Sequence, residues 1–128
     1  MIAKNSTVSL AYSVVVPVRN EAGNIASLIA EISAVMAGLD AAYEIIYVDD
    51  GSTDDSWKHI EALAQEHSEV KGIRFLKNFG KSQALHAGFG MAEGDVVITM
   101  DADLQDNPEE IPELVTMITN QGYDLVSG

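Results

Sequence analysis

The 128-residue chain has no cysteine, which excludes disulfides and thiolate metal sites. Basic residues are scarce: seven against twenty acidic ones, a net charge of −13. That leaves no basic footprint for a general nucleic-acid binder, so nucleic acid is not an expected partner. It also means that an anionic ligand needs local positive charge, which a bound divalent ion could supply. No apolar run approaches the ~18 residues of a membrane span. Residues 1–10 lack a basic region followed by an apolar core, so no signal peptide is expected. Residence in the cytoplasm is expected instead. Internal repeats, low-complexity tracts and linkers are also missing. The length suits a single domain, 1–128, with the first ten residues expected to be loose.

Strand and helix patterns alternate along this chain. Tyr12 to Val16 is apolar and β-branched, and ends at Pro17. Ile25, Leu28, Ile29, Ile32, Val35 and Leu39 then recur at helical spacing. Tyr43 to Val48 reads as a second buried strand. Ser52 and Asp55 form a capping pair for a helix carrying Trp57, Ile60, Leu63 and Ala64. Gly72 to Leu76 is a short third strand, and Leu85, Gly88, Phe89 and Ala92 mark a helix that starts near Gly80. Asp95 to Met100 is a fourth strand. Asn107, Pro108, Glu109 and Glu110 open a helix carrying Ile111, Leu114, Val115 and Ile118. Tyr123 to Val126 begins a fifth strand. Near-continuously apolar strands separated by helices predict an α/β fold of Rossmann type, a parallel sheet with helices on both faces.

In such a sheet, ligands bind beyond the carboxyl ends of the strands. The polar clusters fall there: residues 17–21 after the first strand, 49–52 after the second, 77–81 after the third and 101–105 after the fourth. The last is the most informative. In extended backbone Asp101 and Asp103 point to one side, ~6.5 Å apart. They can converge on a hard cation with the Gln105 amide oxygen beside them. Oxygen-only ligands suit Mg²⁺ or Mn²⁺, and an ion at a strand end can hold a diphosphate.

These clusters resemble the family-2 glycosyltransferases, which have the GT-A fold. The match is Val-Val-Val-Pro-Val-Arg-Asn-Glu at 14–21, Val-Asp-Asp-Gly-Ser-Thr-Asp at 48–54, Lys-Asn-Phe-Gly-Lys at 77–81 and Asp-Ala-Asp-Leu-Gln-Asp-Asn-Pro-Glu at 101–109. The third and fourth segments are most like the branch that glycosylates polyprenyl phosphates, which includes the dolichyl-phosphate mannose synthases. The resemblance implies an inverting transferase that takes a UDP- or GDP-sugar as donor and a polyprenyl phosphate as acceptor. The full-length enzyme would then work at the cytoplasmic face of the membrane. It implies that Pro17 and Glu21 line the nucleotide pocket, that Asp49 and Asp50 contact base or ribose, and that Lys81 and Ala102 lie against the nucleotide. Asp101 and Asp103 would be the catalytic pair, holding the metal with Gln105 as third ligand. Arg19 stands where the family often has an aromatic, and a guanidinium can also stack on a base.

Family members need further strands to complete the domain. The segment therefore reads as a partial, truncated GT-A domain, the nucleotide-binding front half. The exposed sheet edge of a half domain invites self-association into a homo-oligomer. A catalytically incomplete nucleotide-diphosphate-binding module is thus an alternative to an active transferase. A receiver-like signalling domain is a remote third reading, since those domains are also acidic, similar in size and rich in strand-end aspartates. His59, His67 and His86 form no ligand cluster. Asp106, Asn107 and Glu110 read as helix-start residues, and Trp57 and Phe89 as packing residues.

Overall fold

The computed structural model describes residues 10–38, 42–100 and 102, and the backbone of 125–127. Its elements are β1 (Tyr12–Val18), α1 (Ile25–Gly38), β2 (Tyr43–Asp50), α2 (Ser56–Glu66), β3 (Val70–Phe75), α3 (Lys81–Met91), β4 (Val96–Thr99) and β5 (Leu125–Ser127). All pairings are parallel, and the sheet order is β3-β2-β1-β4-β5. The expected strand–helix alternation is present through β4. The helix expected over Ile111 to Ile118 lies outside the described residues. Receiver domains follow the other doubly wound order, in which the third strand lies next to the first. Here β3 is at the sheet edge, which removes the receiver reading.

Strand residues alternate between two apolar clusters, as the pleat requires. Val14, Val16 and Val18 of β1 join Ile45 and Tyr47 of β2 and the Ile25, Leu28, Ile32 and Met36 stripe of α1, with Ile60 of α2. On the other face, Val15, Ile46 and Val48 pack on Ala84 of α3, with Ile73, Phe75 and Leu85 partly buried around them. α1 and α2 thus cover one face of the sheet and α3 the other. Fully burying an aliphatic side chain contributes roughly 1.5–3 kcal/mol, so the α1 stripe alone anchors that helix. The Tyr47 hydroxyl donates to the Ile25 carbonyl at 3.2 Å, tying the first turn of α1 to the middle of β2. α3 sits close because Gly88 lies against Val15, where even a Cβ would collide with the valine side chain.

Several expectations are corrected. Phe89 is exposed rather than packed, because α3 turns Ala84 and Gly88 to the sheet. Ser52 and Asp55 do not form a capping pair. Asp55 sits at the N-cap position without a side-chain bond, and Asp54 accepts instead from the Ser56 amide at 2.9 Å. β1 and β2 each run two residues further than expected, to Val18 and Asp50. Leu76 falls outside β3.

The amino ends of the strands carry a buried polar knot. Glu44, register-paired with Ser13, accepts from the Ser13 hydroxyl at 2.6 Å and from the Glu93 amide at 2.7 Å. Its other oxygen lies 2.7 Å from the Lys71 ammonium. The Gly94 amide in turn donates to Ser13 Oγ at 2.8 Å. Burial pushes the Glu44 carboxyl up, but the Lys71, Ser13 and Glu93 donors outweigh it and hold the group below its usual range.

Candidate nucleotide site

The sheet order reverses between β1 and β4, and a crevice at the carboxyl ends is expected at such a switch point. The register shows it opening. β1 pairs with β4 only up to Val15 and Thr99, whereas its pairing with β2 continues through Pro17 and Val18. The Val15 carbonyl accepts from Met100 on the β4 side at 3.1 Å. Backbone groups two residues apart on a strand point to the same neighbour, so Pro17 presents its nitrogen toward β4, where the ladder has ended. A proline inside a five-stranded sheet is tolerated only where no donor is needed. At this position the missing N–H marks the mouth of the cleft.

That cleft has a volume of about 240 Å³ and is lined by Pro17, Val18, Arg19, Glu21, Asp50, Lys81 and Ala102. It draws on four separate rim segments, after β1, β2, β3 and β4. Of the residues the sequence suggested for a nucleotide, Pro17, Arg19, Glu21, Asp50, Lys81 and Ala102 meet here. Asp49 does not line the cleft; it is buried at the tip of β2. Asp101, Asp103 and Gln105 lie outside the described residues. Ala102, between the two aspartates, is buried in the cleft wall.

Two loops are sewn together to form one wall. Asn20 adopts a left-handed conformation, φ 55°, which asparagine tolerates better than most residues. Its Oδ1 accepts from the Thr53 amide at 2.8 Å and the Asp54 amide at 3.3 Å, while its own amide donates to Ser52 Oγ at 2.9 Å. The Glu21 amide donates to Ser56 Oγ at 2.9 Å. Ser56 Oγ donates to Asp54 Oδ1 at 2.6 Å, and this bond foremost holds the Asp54 carboxyl below its usual range. Asn24 Nδ2 donates to Glu21 Oε1 at 2.8 Å, which steers that carboxylate.

Asp50 organises the opposite wall. Its carboxylate accepts from the Phe79 amide at 2.7 Å, the Gly80 amide at 3.0 Å and Asn78 Nδ2 at 2.8 Å. An ionised carboxylate offers about four acceptor positions, so about one is left to face the cleft. Gly51, at φ 73°, lets the Lys77–Asn78 backbone cross directly over it; a Cβ there would run into both residues and lie 2.8 Å from the Lys77 carbonyl oxygen. Asp49 accepts from the Ser52 amide through Oδ1 at 3.0 Å. Its Oδ2 is buried without a partner, an acceptor in want of a donor, and such atoms are rare in folded proteins.

Residues 13–128 match the model of the glycosyl transferase family 2. The chain belongs to that family. Among curated relatives, it is 46% identical over 123 residues to the undecaprenyl-phosphate 4-deoxy-4-formamido-L-arabinose transferase of Aeromonas hydrophila, covering 95% of this chain and 37% of the relative. Among solved structures, it superposes on the mannosyltransferase PcManGT from Pyrobaculum calidifontis in complex with GDP-Man and Mn²⁺. The TM-score is 0.74 at 25% identity, covering 90% of this chain and 34% of that one. The glucosyl-3-phosphoglycerate synthase of Mycobacterium tuberculosis, in complex with Mn²⁺, UDP and glucosyl-3-phosphoglycerate, gives 0.63 at 29% identity, covering 85% and 39%. The fold is therefore GT-A, and the chain spans little more than a third of the length of these relatives.

Among the described residues of this family-2 domain, no group of three His, Asp or Glu side chains could hold a metal, nor is any helix long and apolar enough to cross a membrane. The cation ligands expected from the sequence, Asp101, Asp103 and Gln105, lie outside the described residues; Asp101 and Asp103 flank Ala102 of the cleft wall in sequence. Sequence reasoning missed the residues that shape the site: Asn20, Ser52, Asp54, Ser56 and Asn78. Their type was a signal, since Asn, Asp and Ser at strand ends often bond to nearby backbone. Their partners lie mostly in another loop, however, and no local pattern names those.

Proposed function

We propose that the cleft holds the diphosphate end of a nucleotide-sugar and that the complete protein transfers the sugar to a polyprenyl phosphate, with inversion at the anomeric carbon. The observation that carries this reading is one cleft, at the switch point of a family-2 domain, built from four rim segments and containing Arg19 and Lys81 in a chain of net charge −13. Two solved relatives hold GDP-Man or UDP with Mn²⁺, and a curated relative uses undecaprenyl phosphate by name.

Leaving-group chemistry explains the arrangement. Breaking the bond from the anomeric carbon to the diphosphate builds negative charge on the phosphate oxygens, while the sugar becomes oxocarbenium-like. A Mg²⁺ or Mn²⁺ ion held by Asp101 and Asp103, with Gln105, would neutralise that charge when bound. Arg19 and Lys81 add fixed positive charge at the same place. Pro17, Val18 and Ala102 supply a dry wall, and Glu21, steered by Asn24, offers an acceptor to a sugar or ribose hydroxyl. A lipid phosphate is already ionised near neutral pH and needs little help from a general base. The reaction would then take place at a membrane surface, on its cytoplasmic side.

Calorimetric titration of the chain with UDP- and GDP-sugars, with and without Mn²⁺, tests this. Metal-dependent binding that Asp103→Ala abolishes is the expected result. Silence toward every nucleotide in the presence of metal would sink the reading. A second reading, a module that binds nucleotide but transfers nothing by itself, is favoured for the isolated chain because it spans only 37% of its curated relative. Saturable binding without transfer to any lipid phosphate identifies it.

A further inference from the structure

Charge is distributed unevenly in this domain. From Val70 to Ala92 the sequence contains no acidic residue, yet it carries Lys71, Arg74, Lys77 and Lys81, four of the seven basic residues. Lys71 is committed to Glu44 at the amino rim. The other three lie at the end of β3, in the β3–α3 loop and at the start of α3. The same loop displays the two most exposed large apolar side chains among the described residues, Leu76 at 89% and Phe79 at 54%. Lys77 lies between them in sequence, its ammonium 5.1 Å from the Phe79 ring centroid, and Phe75 braces that ring edge-on at 5.6 Å. The loop is held firmly, by three bonds to the Asp50 carboxylate and by the close crossing over Gly51. An exposed Leu and Phe on a rigid frame, flanked by cations, is a costly thing to leave in water.

We propose that this loop is an interfacial anchor that seats the domain on an anionic bilayer surface, Leu76 and Phe79 entering the headgroup region and Lys77 facing lipid phosphates, with Arg74, held 5.8 Å over the Trp57 ring, and Lys81 of the cleft adding positive field beside it. Charge complementarity selects that occupant. A body of net charge −13 is repelled by an anionic membrane, except where a cationic face comes within a Debye length, about 8 Å at physiological salt. Among the described residues, the β3–α3 corner joins such a face to exposed large apolar side chains that can enter the interface. The corner stands on the same carboxyl rim as the cleft, and Lys81 belongs to both. Docking there turns the cleft mouth toward the lipid, so that a lipid-borne acceptor need not leave the membrane. That last consequence rests on the proposed acceptor; the anchor itself does not depend on which nucleotide the cleft holds.

Co-sedimentation of the 128-residue chain with vesicles tests the anchor. The expected result is binding to equimolar phosphatidylcholine–phosphatidylglycerol vesicles, weakening as salt is raised, and little binding to phosphatidylcholine alone. Leu76→Ser and Phe79→Ser should each weaken partitioning about tenfold, and Lys77→Gln about fivefold. Phe89→Ser, also exposed but far along α3, should change nothing. Circular dichroism checks the fold of each variant; Lys77→Gln, which removes only a charge on an exposed residue, keeps the test open if an apolar variant misfolds. Failure of the chain to bind either vesicle overturns the proposal, as does equal binding by the loop variants. So does a gel-filtration result in which Leu76→Ser dissolves a dimer while vesicle binding persists, since a second copy would then be the occupant. Nucleotide titration of the same proteins is read independently, so loss of the cleft reading and loss of the anchor are distinguishable.

Discussion

The two rims of this sheet both bury carboxylates, and they treat them oppositely. At the amino rim, Glu44 meets a hydroxyl and an amide on one oxygen and an ammonium on the other, and it lies outside the cleft. At the carboxyl rim, Asp49 keeps one oxygen unpaired and Asp50 spends three bonds on a loop while still facing a cleft. A buried charge is tolerable only when its surroundings compensate it. Partners drawn from three other segments make Glu44 a clasp between strands, whereas Asp50, facing the cleft, marks the edge where a ligand can bind. The comparison predicts that substitutions at the amino rim act on stability and those that alter the cleft at the carboxyl rim act on binding.

The largest effect should come from Glu44→Ala. Lys71 is partly exposed and can return to water, but the buried Ser13 hydroxyl and the Glu93 amide lose their acceptor, which together costs about 3 kcal/mol. Urea denaturation should show that loss, while the folded fraction binds nucleotide with unchanged affinity. Reduced affinity with unchanged stability would erase the distinction between the rims. Glu44→Gln sharpens the point through pH. The Glu44 carboxyl is held below its ordinary value of 4.5, so the stability it contributes is present above that value and is lost as pH falls through its lower folded value. Glu44→Gln should therefore flatten the acid limb of the stability profile.

Next in size is Gly51→Ala. A positive φ and a collision with the Lys77–Asn78 backbone act together, for about 2 kcal/mol. Because the β3–α3 loop must move, nucleotide affinity should fall as well. A variant that retains full affinity would show that the crossing is not needed to shape the cleft.

Asp49→Asn comes third, and it probes the carboxyl rim alone. The amide oxygen can still accept from Ser52, so stability should stay within about 1 kcal/mol of the parent. Because Asp49 is buried and does not line the cleft, nucleotide affinity should change little. Calorimetry in the presence of Mn²⁺ measures it, and a large loss would show that the tip of β2 opens to the ligand.

The difference between the rims also explains what could be read from the chain beforehand. Strand–helix alternation shows in apolar spacing because burial is periodic, and a ligand edge follows from parallel connectivity. That pattern puts the loops after the four strands on one edge; that Pro17, Arg19, Glu21, Asp50, Lys81 and Ala102 in those loops face a nucleotide was implied by the resemblance to family 2, and the cleft brings the six together. Glu44 could not. One charged residue in an apolar strand has no local signature, and its partners Ser13, Lys71 and Glu93 belong to three other segments. Phe89 misled for a related reason. Its spacing suits a buried helix face, but α3 approaches β1 so closely at Gly88 that small residues took that face. The apparent cap at Ser52 and Asp55 failed because the Asn20 amide claimed the Ser52 hydroxyl from another loop.

Tyr47→Phe carries the smallest expected effect and serves both rims as a control. Tyr47 lies mid-strand, paired with Val16 on one side and Gly72 on the other, and its hydroxyl serves only the Ile25 carbonyl. Losing that bond should cost about 1 kcal/mol and leave nucleotide affinity alone. Its trace is clearer at high pH. Burial pushes the Tyr47 phenol well above its ordinary 10.0, so its contribution is complete below that value and is lost as pH rises through the folded one. Lys71, raised mainly by its bond to Glu44, loses its contribution in the same direction. Tyr47→Phe should therefore remove part of the alkaline limb, and adding Glu44→Gln should remove much of the rest. If the single tyrosine variant abolished the limb, the amino-rim ion pair would contribute nothing at high pH, and the clasp would rest on the Ser13 and Glu93 bonds alone.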